Sequence, residues 1–299
     1  MIDHAAVRSD VPLAPFTTYK VGGSARLFAE PEDLEELRSI LELVSFGTEI
    51  VVLGRGSNVV ISDSGIDGLV LRLGGAFAAI DPSGVDRIVA GAGAALPKLA
   101  RTAASAGMAG LGFYVGIPGS VGGAVAMNAG GHGSDTADVL TEAVVVDLRT
   151  GSLTKRDVEA LGLSYRHSDL TGFEIVVQAT FATTLGDPTE LEHELRVITR
   201  WRKEHQPGGT LNAGSVFKNP DQGAAGAIID GCGLKGLAVG PVRVSPIHAN
   251  FLVASSDATA RDIYRFVLEI RERVLAMTGI GLEPEIRFIG SFASHGAKE

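Results

Sequence analysis

A single cysteine, one tryptophan and an aromatic content of 6% mark what this chain has little of, and basic charge is short as well. Cys232 has no partner for an internal disulfide, and no cysteine-based zinc site can be assembled from it. With a formal charge of −9, the chain lacks the basic footprint of a general nucleic-acid or acidic-membrane binder. No stretch approaches the roughly 18 apolar residues of a membrane span, and Met1 to Asp10 lacks a basic start followed by an apolar run. A cytoplasmic, soluble protein without a metal site is therefore expected, with nucleic acid and membrane excluded as partners.

Glycine is abundant: 39 of 299 residues, about 13% against a usual 7% or so. With 45% hydrophobic residues, a large core can still form, in one large or two ordinary domains. Strand and helix signals alternate. Pro31-Glu32-Asp33 opens a helix with Leu34, Leu37, Leu41 and Val44 on its apolar stripe, ending near Gly47. Strands are predicted at 50–53, 59–62 and 69–73, and a helix from Pro97 to Gly107. Between 110 and 133 nine of 24 residues are glycine, which predicts a loop-rich segment without a long amphipathic period.

Strands are expected again at 143–148 and 174–183. Asp187-Pro188-Thr189-Glu190 caps a helix that carries Leu191, Leu195, Ile198 and Trp201 inward and stops at Gln206-Pro207-Gly208. The domain boundary is placed near Gly186, giving domains 1–186 and 187–299. A last helix, from Asp257 to about Met277, has Ala260, Ile263, Tyr264, Val267, Ile270, Val274 and Met277 on one stripe, with Gly279 at C′. The final strand, 283–288, sets Glu285 and Arg287 on one face.

The glycine loops do not carry the known phosphate-site sequences. Gly54-Arg55-Gly56 lacks a third glycine and leads into a strand, and no Walker sequence occurs, so a helix-dipole site of the Rossmann or Walker kind is not expected. What remains is a cradle of successive backbone N–H groups at 54–58 and 116–123 that could grip a pyrophosphate. Charge points the same way. Arg196, Arg200, Arg202, Lys203 and Lys218 stand against Glu204 alone in 196–219, while 231–250 holds Lys235, Arg243 and His248 without an acid. An acidic chain thus has a basic last third, as an anionic small molecule requires.

Seven segments in register resemble one family: 16–23 (Phe-Thr-Thr-Tyr-Lys-Val-Gly-Gly), 54–58 (Gly-Arg-Gly-Ser-Asn), 116–130 (Gly-Ile-Pro-Gly-Ser-Val-Gly-Gly-Ala through Met-Asn-Ala-Gly), 165–168 (Tyr-Arg-His-Ser), 214–220 (Gly-Ser-Val-Phe-Lys-Asn-Pro), 248–251 (His-Ala-Asn-Phe) and 282–287 (Leu-Glu-Pro-Glu-Ile-Arg). Together they resemble the UDP-N-acetylenolpyruvoylglucosamine reductases, flavoproteins that make UDP-N-acetylmuramate for bacterial peptidoglycan. The resemblance covers about 13–290. The 35 residues between Arg166 and Arg202 fit the shorter branch, without the tyrosine-bearing insertion.

The resemblance implies an α+β fold: an FAD-binding domain of the vanillyl-alcohol-oxidase (PCMH) type, then a C-terminal α+β domain for the UDP-sugar. It implies FAD as cofactor and NADPH as hydride donor. FAD contacts fall on Gly54, Arg55, Gly56, Ser57, Asn58, Gly116, Ile117, Pro118, Gly119, Ser120, Gly122 and Gly123. Arg166, Ser215 and Glu285 match the catalytic arginine, proton-donating serine and glutamate, and Arg202, Lys218, Asn219 and Arg287 are expected substrate contacts. From the residues alone, Arg166 could instead pair with Asp169, Ser215 could be a turn former after Gly214, and Glu285 could pair with Arg287. Ala213, Ile247, Ala254 and Gln206 depart from the family's usual residues. Competing functions are another FAD oxidase or dehydrogenase on the same fold, or a non-catalytic nucleotide-sugar-binding protein. The oligomeric state is left open, and a monomer is compatible with the sequence.

Overall fold

The computed structural model describes residues 7–45 and 47–292. The fold is α+β, and its contacts divide the chain into two units. One holds Val7, Arg8, Phe28–Arg55 and Leu69–Glu204; the other holds Ser9–Leu27, Gly56–Gly68 and the chain from His205 on. The division thus falls at Glu204/His205 rather than near Gly186, and two N-terminal segments go with the C-terminal part.

In the first unit an antiparallel sheet runs in the order Leu153–Asp157, Leu140–Asp147, Glu174–Ala182, Arg87–Gly91, Ile80–Asp81. The strand Arg87–Gly91 and the edge strand Leu153–Asp157 carry little alternating apolar pattern and were not expected from the sequence. Helix Leu96–Ser105 buries Leu96, Leu99, Ala100 and Ala103 in the same core as Ala143, Val145, Ala179 and Phe181. The glycine-rich stretch is not all loop. Ser120 caps a short helix, Val121–Met127, its hydroxyl accepting from the Gly123 N–H. Glycine disfavours helix interiors by about 1 kcal/mol each, but close packing selects it here: a Cβ on Gly122 would lie 2.9 Å from Ala92 Cβ.

Helix Pro188–His205 forms as expected, with the Asp187 carboxylate accepting from Thr189 and Glu190 N–H. Leu195 and Ile198 are buried, whereas Trp201 is 43% exposed, against expectation. Leu195 belongs to the first unit's core, which ties this helix to that unit.

The second unit has its own core, with Tyr19, Val60, Val216, Phe217, Ile229, Val244, Phe266 and Ile270. That core explains why residues 9–27 and 56–68 belong here. Tyr19 is fully buried and donates to the Leu252 carbonyl at 2.9 Å. Strand Val59–Ile61 pairs in parallel with Arg287–Ile289. Helix Ala260–Thr278 has a capping box between Thr259 and Asp262, and Asp63 also accepts from the Ala260 and Arg261 N–H groups. Gly279 takes the expected left-handed conformation at its end, φ +74°. Its buried stripe includes Phe266, while Met277, expected inside, is 61% exposed. Cys232 is buried among apolar neighbours.

Candidate active site

The two units carry their candidate residues on different kinds of part. In the first, the loops around Gly54 and Ser120 meet: a Cβ on Gly54 would lie 2.5 Å from Ser120 Oγ, the atom that caps helix Val121–Met127. Among the described residues, the N–H groups of 54–58 and of 119–120 donate to no protein acceptor. Val121 and Gly122, by contrast, donate to the Ala94 and Ala92 carbonyls, which fixes the second loop on the core. A run of unpaired N–H donors beside the exposed Arg55 side chain suits an acceptor-only group of diffuse negative charge. A pyrophosphate is such a group, so these residues fit the FAD that the sequence implies.

Gly56, in the second unit, is buried. Its φ is +62°, a Cβ would lie 2.1 Å from the Phe16 carbonyl oxygen, and its own carbonyl accepts from the Thr18 N–H. Few positions in the chain require glycine so strictly.

Arg166 sits in a tight turn, 164–167, closed by reciprocal bonds between the Ser164 and His167 main chains. Its φ of +56° is uncommon for a non-glycine residue and marks a conformation fixed by its surroundings. Its guanidinium donates to the Asn128 carbonyl at 3.4 Å and to the Gly130 carbonyl at 3.2 Å. His167 Nε2 lies 3.0 Å from Asp169 Oδ1. Asn128 is the hub that the sequence did not single out. Buried and left-handed at the end of helix Val121–Met127, it donates to Ser164 O and Asp135 and accepts from Ala137 N–H. Asparagine tolerates that conformation better than most residues, and this was the signal available in the Met-Asn-Ala-Gly segment.

Ser215 and Glu285 come together in the second unit. The Glu285 N–H donates to Val216 O at 2.7 Å, Phe217 pairs antiparallel with Pro284, and Lys218 N–H donates to Glu283 O. On the other side of the serine loop, buried Asn250 accepts the Val216 N–H on its carbonyl and the Phe217 N–H on its side chain, and its amide donates to Phe217 O. The last strand begins at Arg287 rather than at 283, so Glu285 lies on the segment leading into it; Asn58 ties that segment, its amide donating to Glu285 O at 3.0 Å and its carbonyl accepting from Arg287 N–H. Asn250 lies in the family-like segment 248–251, where the sequence alone indicates no role for it.

The expected substrate contacts differ in setting. Lys218 is engaged by Glu283 at 2.7 Å, Asn219 accepts the Ala225 N–H, and Arg287 is exposed on its strand. Arg202, in the first unit, is partly buried, and that burial pulls its pKa down. No cluster of three or more metal-ligating side chains occurs among the described residues.

Comparison with known proteins decides the family. Residues 206–289 match the model of the UDP-N-acetylenolpyruvoylglucosamine reductase C-terminal domain, and 25–156 match an FAD binding domain. The chain is 43% identical over 281 residues to the UDP-N-acetylenolpyruvoylglucosamine reductase of Paramagnetospirillum magneticum, covering 94% of this chain and 91% of that one. The chain belongs to the UDP-N-acetylenolpyruvoylglucosamine reductase family. The reductase of Rubrobacter xylanophilus is also 43% identical, over 289 residues, covering 95% and 96% of the two chains. Among solved structures, the reductase from Thermus caldophilus superposes with a TM-score of 0.82 at 37% identity, covering 95% of this chain and all of that one. Within this reductase family the FAD binding domain model spans both Gly54 and Ser120, while the C-terminal model spans Ser215 and Glu285. No described helix is long and apolar enough to cross a membrane.

Proposed function

We propose that this chain reduces UDP-N-acetylenolpyruvoylglucosamine to UDP-N-acetylmuramate with electrons from NADPH, and that Arg166, Ser215 and Glu285 are its catalytic residues. FAD, when bound, would supply the hydride-transfer chemistry that links NADPH to the enol ether. The residues of 54–58 with Gly116, Ile117, Pro118, Gly119, Ser120, Gly122 and Gly123 hold the cofactor, chiefly through main-chain N–H groups.

The substrate's double bond is conjugated to a carboxylate, so hydride addition at C3 leaves enolate-like charge at C2 and on the carboxyl oxygens. Two demands follow: stabilisation of that charge and a proton at C2. Arg166 answers the first with a permanently charged, forked donor, held in place by the Asn128 and Gly130 carbonyls. Ser215 answers the second by passing its hydroxyl proton to C2. A serine hydroxyl is a weak acid, but the carbanionic centre it meets is a strong base. Glu285, brought beside the serine loop through Val216, stabilises the enolate in its protonated form. Arg202, Lys218, Asn219 and Arg287 contact the UDP-sugar, Lys218 only by leaving Glu283. The enzyme works in the cytoplasm on a small nucleotide sugar.

The joining of Ser215 and Glu285 through one antiparallel contact carries this assignment. Neither a sugar oxidase nor a passive binder of nucleotide sugars requires an acid serine and a carboxyl group together. The test is direct. Purified protein should carry flavin absorbance, and with NADPH and the enolpyruvyl sugar it should yield a product heavier by one hydride and one proton. Colourless protein that takes up no FAD would sink the proposal.

A further inference from the structure

Two side chains of the first unit, His132 and Arg202, meet beside Gly116, and the mechanism above does not use their combination. His132 and Gly133 form the two-residue turn between strands Gly130–Gly131 and Ser134–Asp135, both with positive φ, +56° and +87°. A Cβ on Gly116 would lie 3.2 Å from His132 Nε2 and 3.3 Å from Arg202 Nη1, so both groups lie over the same side of that residue. Trp201 stands edge-on to the imidazole, with ring centroids 5.1 Å apart at 86°.

Arg202 makes no ion pair or hydrogen bond among the described residues, although burial has stripped part of its water. A desolvated guanidinium without a counter-charge is costly unless an anion joins it. The His132 pKa is pushed below its usual value, first by burial and then by the Arg202 charge. The nearby acids are committed elsewhere. Asp135 binds Asn128 and the Ala137 and Asp138 N–H groups, Asp138 binds Ser134 and the Asp135 N–H, and Glu194 lies against Gly112. Arg166, whose guanidinium donates to Gly130 O, and exposed Lys203 add further positive charge to these elements.

We propose that Arg202 and His132 together hold one diphosphate diester, with His132 adding its charge only when protonated, so that binding takes up a proton. The choice of ligand rests on the reductase reading, which offers two such groups: the diphosphate of the UDP-sugar and the pyrophosphate of FAD. Neither titrates near neutrality, so any pH dependence belongs to the protein. An anion raises the His132 pKa above its free-state value. Affinity therefore rises as pH falls through the bound-state value, and the gain is complete below the free-state one.

The test has two arms, both on FAD-loaded enzyme between pH 5.5 and 8.5. In the first, UDP-N-acetylglucosamine is titrated and flavin absorbance read; in the second, FAD release on dilution is read by flavin fluorescence. Wild type should bind about threefold or more tightly at the acid end, and His132→Gln should be flat in whichever arm shows the effect. A dependence in the first arm assigns the UDP-sugar, and one in the second assigns the cofactor. Arg202→Gln should weaken that same ligand at every pH. Wild type flat in both arms, or a His132→Gln variant that keeps the slope, overturns the proposal. Turnover of the enolpyruvyl sugar without any proton linkage overturns this proposal and leaves the reductase assignment standing, whereas proton-linked binding without turnover refutes the reductase assignment and leaves the anion pair standing.

Discussion

The glycine loops and the Ser215 loop are shaped by opposite means. Around Gly54 and Gly56 a side chain is excluded by neighbouring atoms at 2.5 and 2.1 Å, and the donors left over are main-chain N–H groups. Just after Ser215 the backbone of 216–218 is engaged instead, by Asn250 on one side and by 283–285 on the other. A cofactor's pyrophosphate is met by many weak, fixed dipoles, whereas a proton must leave one particular oxygen, which calls for a single side chain on a well-anchored loop. Damage should therefore look different in the two regions: lost fold or lost flavin in the first, a selective loss of chemistry in the second.

Gly56→Ala should have the largest effect, because positive φ and the Phe16 carbonyl both oppose a Cβ. A destabilisation of about 3–5 kcal/mol is expected, read as a lower urea midpoint and poor flavin content. Equal stability and flavin would show that the loop yields easily. Asn250→Ala comes next. It strips a buried amide of its bonds to Phe217, with an expected cost of about 2–3 kcal/mol, and it should also slow flavin reoxidation by the sugar. Should reoxidation stay normal in the destabilised variant, the clamp is dispensable for aiming Ser215. Ser120→Ala should be the mildest. Loss of the cap to Gly123 costs about 1 kcal/mol, and FAD should be released more readily on dilution while Ser215 chemistry in the loaded fraction is unchanged.

The two regions also differed in how far they could be read in advance. The helices at 188–205 and 260–278 were legible because their caps, Asp187 and Gly279, sit beside strong apolar periods. The glycine loops were legible as a place, but not as a shape. Helix Val121–Met127 was hidden because its glycines serve tight packing on Ala92, a tertiary contact that outweighs local propensity. Trp201 follows the helical period yet lies outward against His132, which no periodicity encodes. Near Ser215, motif residues were identifiable, but Asn250 acquires its task only from contacts 33 residues away in sequence. The division into units was similarly hidden, since Tyr19 and Asp63 join the C-terminal part through Leu252 and Ala260.

The central claim is that Ser215 delivers the proton while the flavin is held and reduced without its help. Anaerobic double-mixing stopped flow on Ser215→Ala tests it most directly: NADPH first, then the enolpyruvyl sugar, with flavin absorbance followed throughout. Bleaching by NADPH should match wild type, and reoxidation by the sugar should slow by about 10²–10⁴. Reoxidation at the wild-type rate, or an equal loss in both half-reactions, would contradict the claim.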